Sequence, residues 1–279
     1  VSALERVTPA LACPVCTAGL TLGAGTLRCS GGHAFDVARQ GYASLQRGGA
    51  PAVTGDTAAM VAARDAFLGR GHYAPLARAL RDAVAGVTDD GLCVDLAGGT
   101  GYYLRAVLED RPGLLGLDLD LSKPALRRAA RAHERLAAAA ADVWQPLPVR
   151  TGAAAVVLSV FGPRNGPEIR RVLAPGVGRL LLVAPTPAHL GELVGPLGLL
   201  AVDPRKAERL DARLKGLEQV TETAVTYRAS MGHADVAELA LMGPSAHHVA
   251  ADELRARAAA LPDRVHVTVS VTLSSFAAA

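Results

Sequence analysis

Residues 92–108, LCVDLAGGTGYYLRAVL, restrict the possible folds of this chain more than any other stretch. They read as a short apolar strand with Asp95 near its end, a turn built on Gly98, Gly99 and Gly101, and the start of a helix. Glycines suit such a turn because the backbone bends sharply and lets a ligand approach where a Cβ would collide. The helix that follows aims its N-terminus at that ligand. The wording D-x-A-G-G-T-G departs from the dinucleotide pattern G-x-G-x-x-G, and Ala97 stands where many nucleotide-binding loops have their first glycine.

The text downstream supplies what such a loop needs. GLLGLDLDLS is an apolar strand ending in acids, with Asp118 and Asp120 roughly twenty residues beyond the glycines, where a carboxylate receives ribose hydroxyls. The D-x-S-K wording favours Asp120 at the strand tip, with Asp118 as the alternative. Residues 123–141 read as an arginine-studded helix and a short strand, after which Asp142 faces an adenine. Residues 153–161 (AAAVVLSVF) and 179–184 are continuous apolar runs, as expected of parallel strands buried on both faces. Helices are expected at 57–70, 72–86, 168–173, 206–215, 235–242 and 252–261. Strands at 220–231 and 265–276 close the chain as an antiparallel pair. The fold class is therefore α/β, a Rossmann-like, mostly parallel sheet with a C-terminal hairpin.

A separate module precedes it. Cys13-x-x-Cys16 and Cys29-x-x-x-His33 flank a hairpin at residues 20–28, and three thiolates with one imidazole make a closed tetrahedral zinc set. Three of the four cysteines fall in this cluster, and a chain with no signal pattern or transmembrane run is expected in the cytoplasm, where metal binding outweighs disulfides. So small a module holds itself together largely by ligating metal. Arg39, Gln40, Tyr42 and Arg47 follow it; Tyr42 and Phe35 either stack on splayed RNA bases or close the small core. The Gly/Pro-rich stretch after residue 47 marks a linker, giving a ribbon at 1–50, a linker at 51–59 and a large domain at 60–279. A net charge of +3 permits a polyanionic partner without demanding one.

Read together, CPVC…CSGGH, DVARQGYASLQ, GDTAAMVAARDAFLGRGHYAPL, DLAGGTGYY, LDLSKPALRRAA, VLAPGVGRLLLVAPTPAHLGEL and MGPSAHH resemble the bacterial 23S rRNA guanine-N1 methyltransferases, in wording the actinobacterial branch associated with tylosin and mycinamicin resistance. The resemblance implies S-adenosylmethionine as methyl donor and N1 of a guanine in a domain II hairpin of 23S rRNA as acceptor. It also implies zinc on Cys13, Cys16, Cys29 and His33, cofactor contacts at Tyr73, Gly98, Gly99 and the loop holding His189, and a homodimer with a shared RNA cleft. The family often has glycine at Ala97, where a methyl group is tolerated if the backbone angle is ordinary.

Ser159-Val160-Phe161-Gly162-Pro163 lacks the Asn/Asp-Pro-Pro-aromatic wording of enzymes that methylate exocyclic amines, which favours a ring nitrogen. Phe161 stacks on the guanine or belongs to the core. Glu168, His189 and His247 are the candidates for a general base. Arg39, Arg47, Arg64, Arg164, Arg170 and Arg171 are candidate phosphate contacts. Two other readings stay open: a small-molecule methyltransferase whose ribbon serves assembly, and a non-catalytic zinc-ribbon RNA-binding protein.

Overall fold

The computed structural model describes residues 2–47, 55–199 and 214–278. A short helix α1 (Ala3–Val7) leads into the ribbon, whose strands β1 (Leu20–Gly23), β2 (Thr26–Cys29) and β3 (Ala34–Asp36) form an antiparallel sheet. A two-residue strand β4 (Ala43–Ser44) follows. Helices α2 (Ala58–Gly69) and α3 (Ala74–Ala85) then lead to β5 (Asp90–Leu96), α4 (Tyr102–Glu109), β6 (Gly113–Asp120), α5 (Lys123–Ala132) and β7 (Leu136–Ala140). The second half runs β8 (Val156–Val160), α6 (Gly166–Val172), β9 (Arg179–Pro185), α7 (Gly191–Leu197), β10 (Leu217–Met231), α8 (His233–Leu241), α9 (Ala251–Ala259) and β11 (Val265–Ala278). The large sheet has the order β10-β11-β9-β8-β5-β6-β7-β4, with β11 antiparallel to both its neighbours and the remaining pairs parallel.

Local sequence accounts for these elements. Thr57 caps α2 by accepting from the Met60 amide, and Met60, Ala63 and Phe67 turn inward. Ser122 caps α5 in the same way, with Ala125, Leu126 and Ala129 buried and Arg127 and Arg131 outside. Along β5, Leu92, Val94 and Leu96 enter one core layer and Cys93 the other, the alternation of a strand covered on both faces. Helices α3, α4, α5 and α7 cover the second layer.

The first layer is covered differently. Among the described residues, the connection from β7 to β8 contains no helix, and α1 packs on β6 and β7 in its stead. Leu4, Val7 and Leu11 are buried there, each contributing on the order of 2 kcal/mol. Ribbon residues Leu20, Leu27 and Phe35 share this layer with Val94 and Leu117. The ribbon's exit is built in as well: β4 pairs with β7, and the Leu45 amide donates to the Ala140 carbonyl at 3.0 Å. The helix expected at 206–215 and the linker through residue 54 lie outside the described residues, apart from the last two positions of that helix.

Candidate active site and zinc centre

The hairpin and the two half-motifs bring Cys13, Cys16, Cys29 and His33 together, their ligand atoms all within 4.8 Å of one another. Cys16 Sγ lies 3.6 Å from Cys29 Sγ, and His33 Nδ1 lies 3.6 Å from Cys13 Sγ and 3.3 Å from Cys29 Sγ. A zinc ion with bonds of about 2.3 Å sets tetrahedral sulfurs about 3.8 Å apart, so the donor set fits. A Cβ on Gly31 would stand 3.3 Å from Cys16 Sγ, which explains the glycine in the ligand loop. All four positions are filled by protein, the mark of a structural site.

The glycine turn sits at the carboxyl end of β5, where the strand order reverses between β5–β6 and β8–β9, the crevice where open α/β sheets bind ligands. Ala97 has φ of 56°, so the condition of an ordinary angle is not met: an L-residue here occupies the left-handed region at a cost of roughly 1–2 kcal/mol. Gly99 (66°) and Gly101 (75°) are also left-handed. Gly98 is a glycine for another reason. A Cβ there would stand 2.5 Å from Asp118 Oδ2 and 2.8 Å from Asp95 Oδ2.

The three acids divide by their surroundings. Asp120, at the tip of β6, accepts from the Gly99 amide at 3.0 Å and the Ser122 amide at 2.7 Å. Each oxygen keeps a further lone pair for a hydroxyl. Burial raises its carboxyl above the ordinary range despite the pull of those two amides. Asp95 and Asp118 face each other across β5 and β6, are 1 % and 0 % exposed, and have four carboxyl oxygens with no hydrogen-bond partner in the structure. Burial, with Asp120 beside it, pushes Asp95 up to about 8; burial and the neighbouring acids push Asp118 well up too. Asp142 is half-buried and accepts from the Trp144 amide at 2.9 Å.

A second group gathers around the ends of β8 and β9. Tyr73, from the turn between α2 and α3, lies with its ring centroid 6.2 Å from Phe161 and 6.3 Å from His189, and Phe161 lies 5.6 Å from His189. Phe161 is 37 % exposed with φ of 57°, so it stands at the rim of the crevice on strained backbone.

Other candidates fall elsewhere. Tyr42 is 6 % exposed and packed in the core layer with Leu126 and Ala129, so it does not stack on RNA. It closes a core, as the second reading had it, but that of the large domain and not the one the ribbon's Leu20, Leu27 and Phe35 belong to. Glu168 is occupied: Arg171 and the Leu147 amide (2.7 Å) bind its oxygens and hold its carboxyl below the ordinary range against burial. Arg171 is thereby turned inward, and Arg164 is buried at 8 % exposure. Arg64 pairs with Asp56 at 2.5 Å, donates to the Met242 carbonyl and reaches the glycine loop beside Gly99. Exposed Arg47 donates to the Pro14 carbonyl, and Arg39, Arg170 and His247 are exposed as well.

Comparison with known proteins agrees with this geometry. The zinc-ribbon model described as RlmA, N-terminal, matches residues 11–46. A 23S rRNA (guanine(748)-N(1))-methyltransferase of Streptomyces fradiae is 49% identical over 276 residues, 97% of each chain. The chain belongs to the 23S rRNA (guanine-N1)-methyltransferase family. A relative from Micromonospora griseorubida bearing a 23S rRNA (guanine-N(1)-)-methyltransferase description is 47% identical over 96% of this chain and 97% of its own. The fold is that of class I methyltransferases: a SAM-dependent enzyme from Anabaena variabilis superposes with a TM-score of 0.52 at 13% identity, over 82% of this chain and 99% of that one. Within the family frame, the ribbon match runs through β4, the strand that ties the zinc module to the methyltransferase sheet.

Sequence reasoning missed two parts of this site. One is the His189–Ser270 contact, which joins a loop to a residue of β11 81 positions away; the other is the Asp56–Arg64 ion pair beside the glycine loop. Neither leaves a local pattern.

Proposed function

We propose that this protein transfers the methyl group of S-adenosylmethionine to N1 of a guanine in a domain II hairpin of 23S rRNA, protecting ribosomes from tylosin- or mycinamicin-type macrolides. The observation that carries it is near-full-length identity of 49% to a guanine-N1 enzyme, with both the zinc ligands and the glycine–acid crevice in place. The residues fit the nucleoside of the donor: Asp120 for the ribose hydroxyls, Gly98–Gly99 for close backbone approach, and Asp142 for the adenine. The donor supplies an electrophilic methyl on a sulfonium. The protein's own task is to hold the guanine in line with it and keep competing water out.

Phe161 offers a flat exposed face at the crevice rim for a guanine flipped out of its hairpin. Arg39 and Arg47 on the ribbon side supply phosphate contacts. No helix among the described residues is long and apolar enough to cross a membrane, consistent with a cytoplasmic enzyme acting on rRNA. A homodimer with a cleft between copies is the assembly the family resemblance supports. The test is transfer of tritiated methyl to 23S rRNA from macrolide-sensitive cells. Replacing Cys16 and Cys29 by serine should abolish transfer while donor binding stays measurable. Full-rate transfer by that variant would remove the ribbon from recognition, and transfer to metabolites alone would replace the substrate.

A further inference from the structure

Helix α5 carries Lys123, Arg127, Arg128 and Arg131, and no acid, within its 10 residues. Ala125, Leu126 and Ala129 fasten it to the core, so the cations share the outer side. Arg128 is engaged by Asp65 of α2 at 3.2 Å. Lys123, Arg127 and Arg131 stand four residues apart and are all exposed, and among the described residues none of them meets a carboxylate. The row works against the helix that holds it. Like charges four residues apart repel, and Lys123 lies in the first turn, where the helix dipole disfavours a cation. A row that breaks both local rules and touches no protein partner is accounted for by a ligand outside the fold. The ribbon extends it. Its turn at residues 38–41, closed by the Gly41 amide donating to the Ala38 carbonyl at 2.8 Å, lies against α5, where a Cβ on Gly41 would stand 3.8 Å from Ala130 Cβ. Arg39 is exposed on that turn, and Ala130 immediately precedes Arg131, so Arg39 continues the row across the seam between ribbon and large domain.

Resting on 23S rRNA as the substrate, we propose that Lys123, Arg127, Arg131 and Arg39 form a track for one phosphate strand of the RNA, running from the crevice to the ribbon. Helical rise sets successive cations of α5 about 6 Å apart along the axis, a regular row that successive phosphates of one strand can meet. Each cation that meets a phosphate releases counterions, which supplies affinity without reading sequence. The track begins at the crevice because Lys123 follows the end of β6, where Asp120 stands, by three residues. Arg64, Arg164 and Arg171 are paired or buried within the protein, whereas the α5 row is open to solvent. An anionic lipid surface fits the row less well: the apolar side of α5 is already buried in the core, so the helix has nothing to insert.

The test is fluorescence-anisotropy binding of a labelled domain II hairpin RNA to zinc-loaded full chain, over about 50–300 mM potassium chloride. Arg127→Gln with Arg131→Gln should weaken binding at least about tenfold near 100 mM salt and flatten the log–log salt slope by roughly 1.4–1.8, the share of two phosphate contacts. Adding Arg39→Gln should flatten it by roughly 0.7–0.9 more. S-adenosylmethionine affinity by calorimetry should stay at the wild-type value, as should single-turnover methylation at saturating RNA. Arg127→Lys with Arg131→Lys should keep the wild-type slope, which a purely structural role would not require. Arg255→Gln with Arg264→Gln removes the same charge from exposed positions on α9 and before β11, and should leave the slope unchanged. An unaltered slope in the α5 double variant would overturn the track, and so would an equal loss in the α9 control, which would reduce the effect to net charge. Loss of binding to phosphatidylserine vesicles with RNA affinity intact would overturn it in favour of a lipid partner. Wild-type protein that binds no 23S hairpin would remove the rRNA reading itself, whereas normal RNA binding by the α5 variant removes the track alone.

Discussion

Replacing Asp118 by asparagine tests the buried acid pair quantitatively. Asp95 and Asp118 lie side by side, almost wholly buried, with none of their four oxygens hydrogen-bonded in the structure. Two charges cannot be held there, so the folded pair retains at least one proton at neutral pH. Asp95 is held up to about 8, whereas an unfolded aspartate ionises near 3.9. The stability associated with the retained proton is thus fully present below about pH 4 and is lost as pH rises toward 8. The slope is about 1.4 kcal/mol per pH unit per proton, or about 2.7 kcal/mol between pH 5 and 7. The Asp118→Asn substitution removes one acid and gives Asp95 an amide donor, so the variant should lose less stability over that interval by roughly 2–3 kcal/mol. Urea unfolding of zinc-loaded protein at pH 5, 6 and 7, followed by far-ultraviolet circular dichroism, measures this double difference; titration at the zinc ligands is common to both proteins and cancels. Parallel pH curves for the two would refute the shared-proton pair.

Other expectations follow from single residues. Ala97→Gly relieves a left-handed alanine but adds unfolded-chain entropy; a net gain of about 0.5–1 kcal/mol should raise Tm by roughly 2 °C, and a lower Tm would show that the methyl packs usefully. Asp120→Ala strands the Gly99 and Ser122 amides, and calorimetry should show donor affinity reduced at least tenfold, well beyond the effect of Asp118→Ala. The reverse ranking would move the ribose contact. Chelation should release one zinc per chain, measurable by atomic emission. It should also lower Tm well beyond the ribbon itself, because Leu20, Leu27 and Phe35 share a core layer with the large sheet. An unchanged Tm would mean that the ribbon core stands without its metal.

What was readable in the sequence is what local chemistry writes locally. The zinc ligands, the glycine turn, the strand-end acids and the apolar parallel strands each carry a spacing or periodicity, and the structure places them accordingly. The closing antiparallel pair was legible for the same reason. Features set by distant partners were not. Nothing in ALERV announces a helix that covers the sheet where the β7–β8 connection has none, and a two-residue strand such as β4 is too short for alternation to show. The left-handed angle at Ala97 runs against residue preference, so no local preference announces it. The sequence left Tyr42 open between RNA stacking and the core, because its burial goes with the pairing of β4 on the distant edge of β7.

The central claim is most directly tested by nucleoside mass spectrometry of 23S rRNA after incubation with zinc-loaded protein and S-adenosylmethionine. One N1-methylguanosine per rRNA molecule is expected, at a guanine of the domain II hairpin where reverse transcription then stops. A methyl group found on an exocyclic amine, on another ring nitrogen or on no rRNA nucleoside would contradict it.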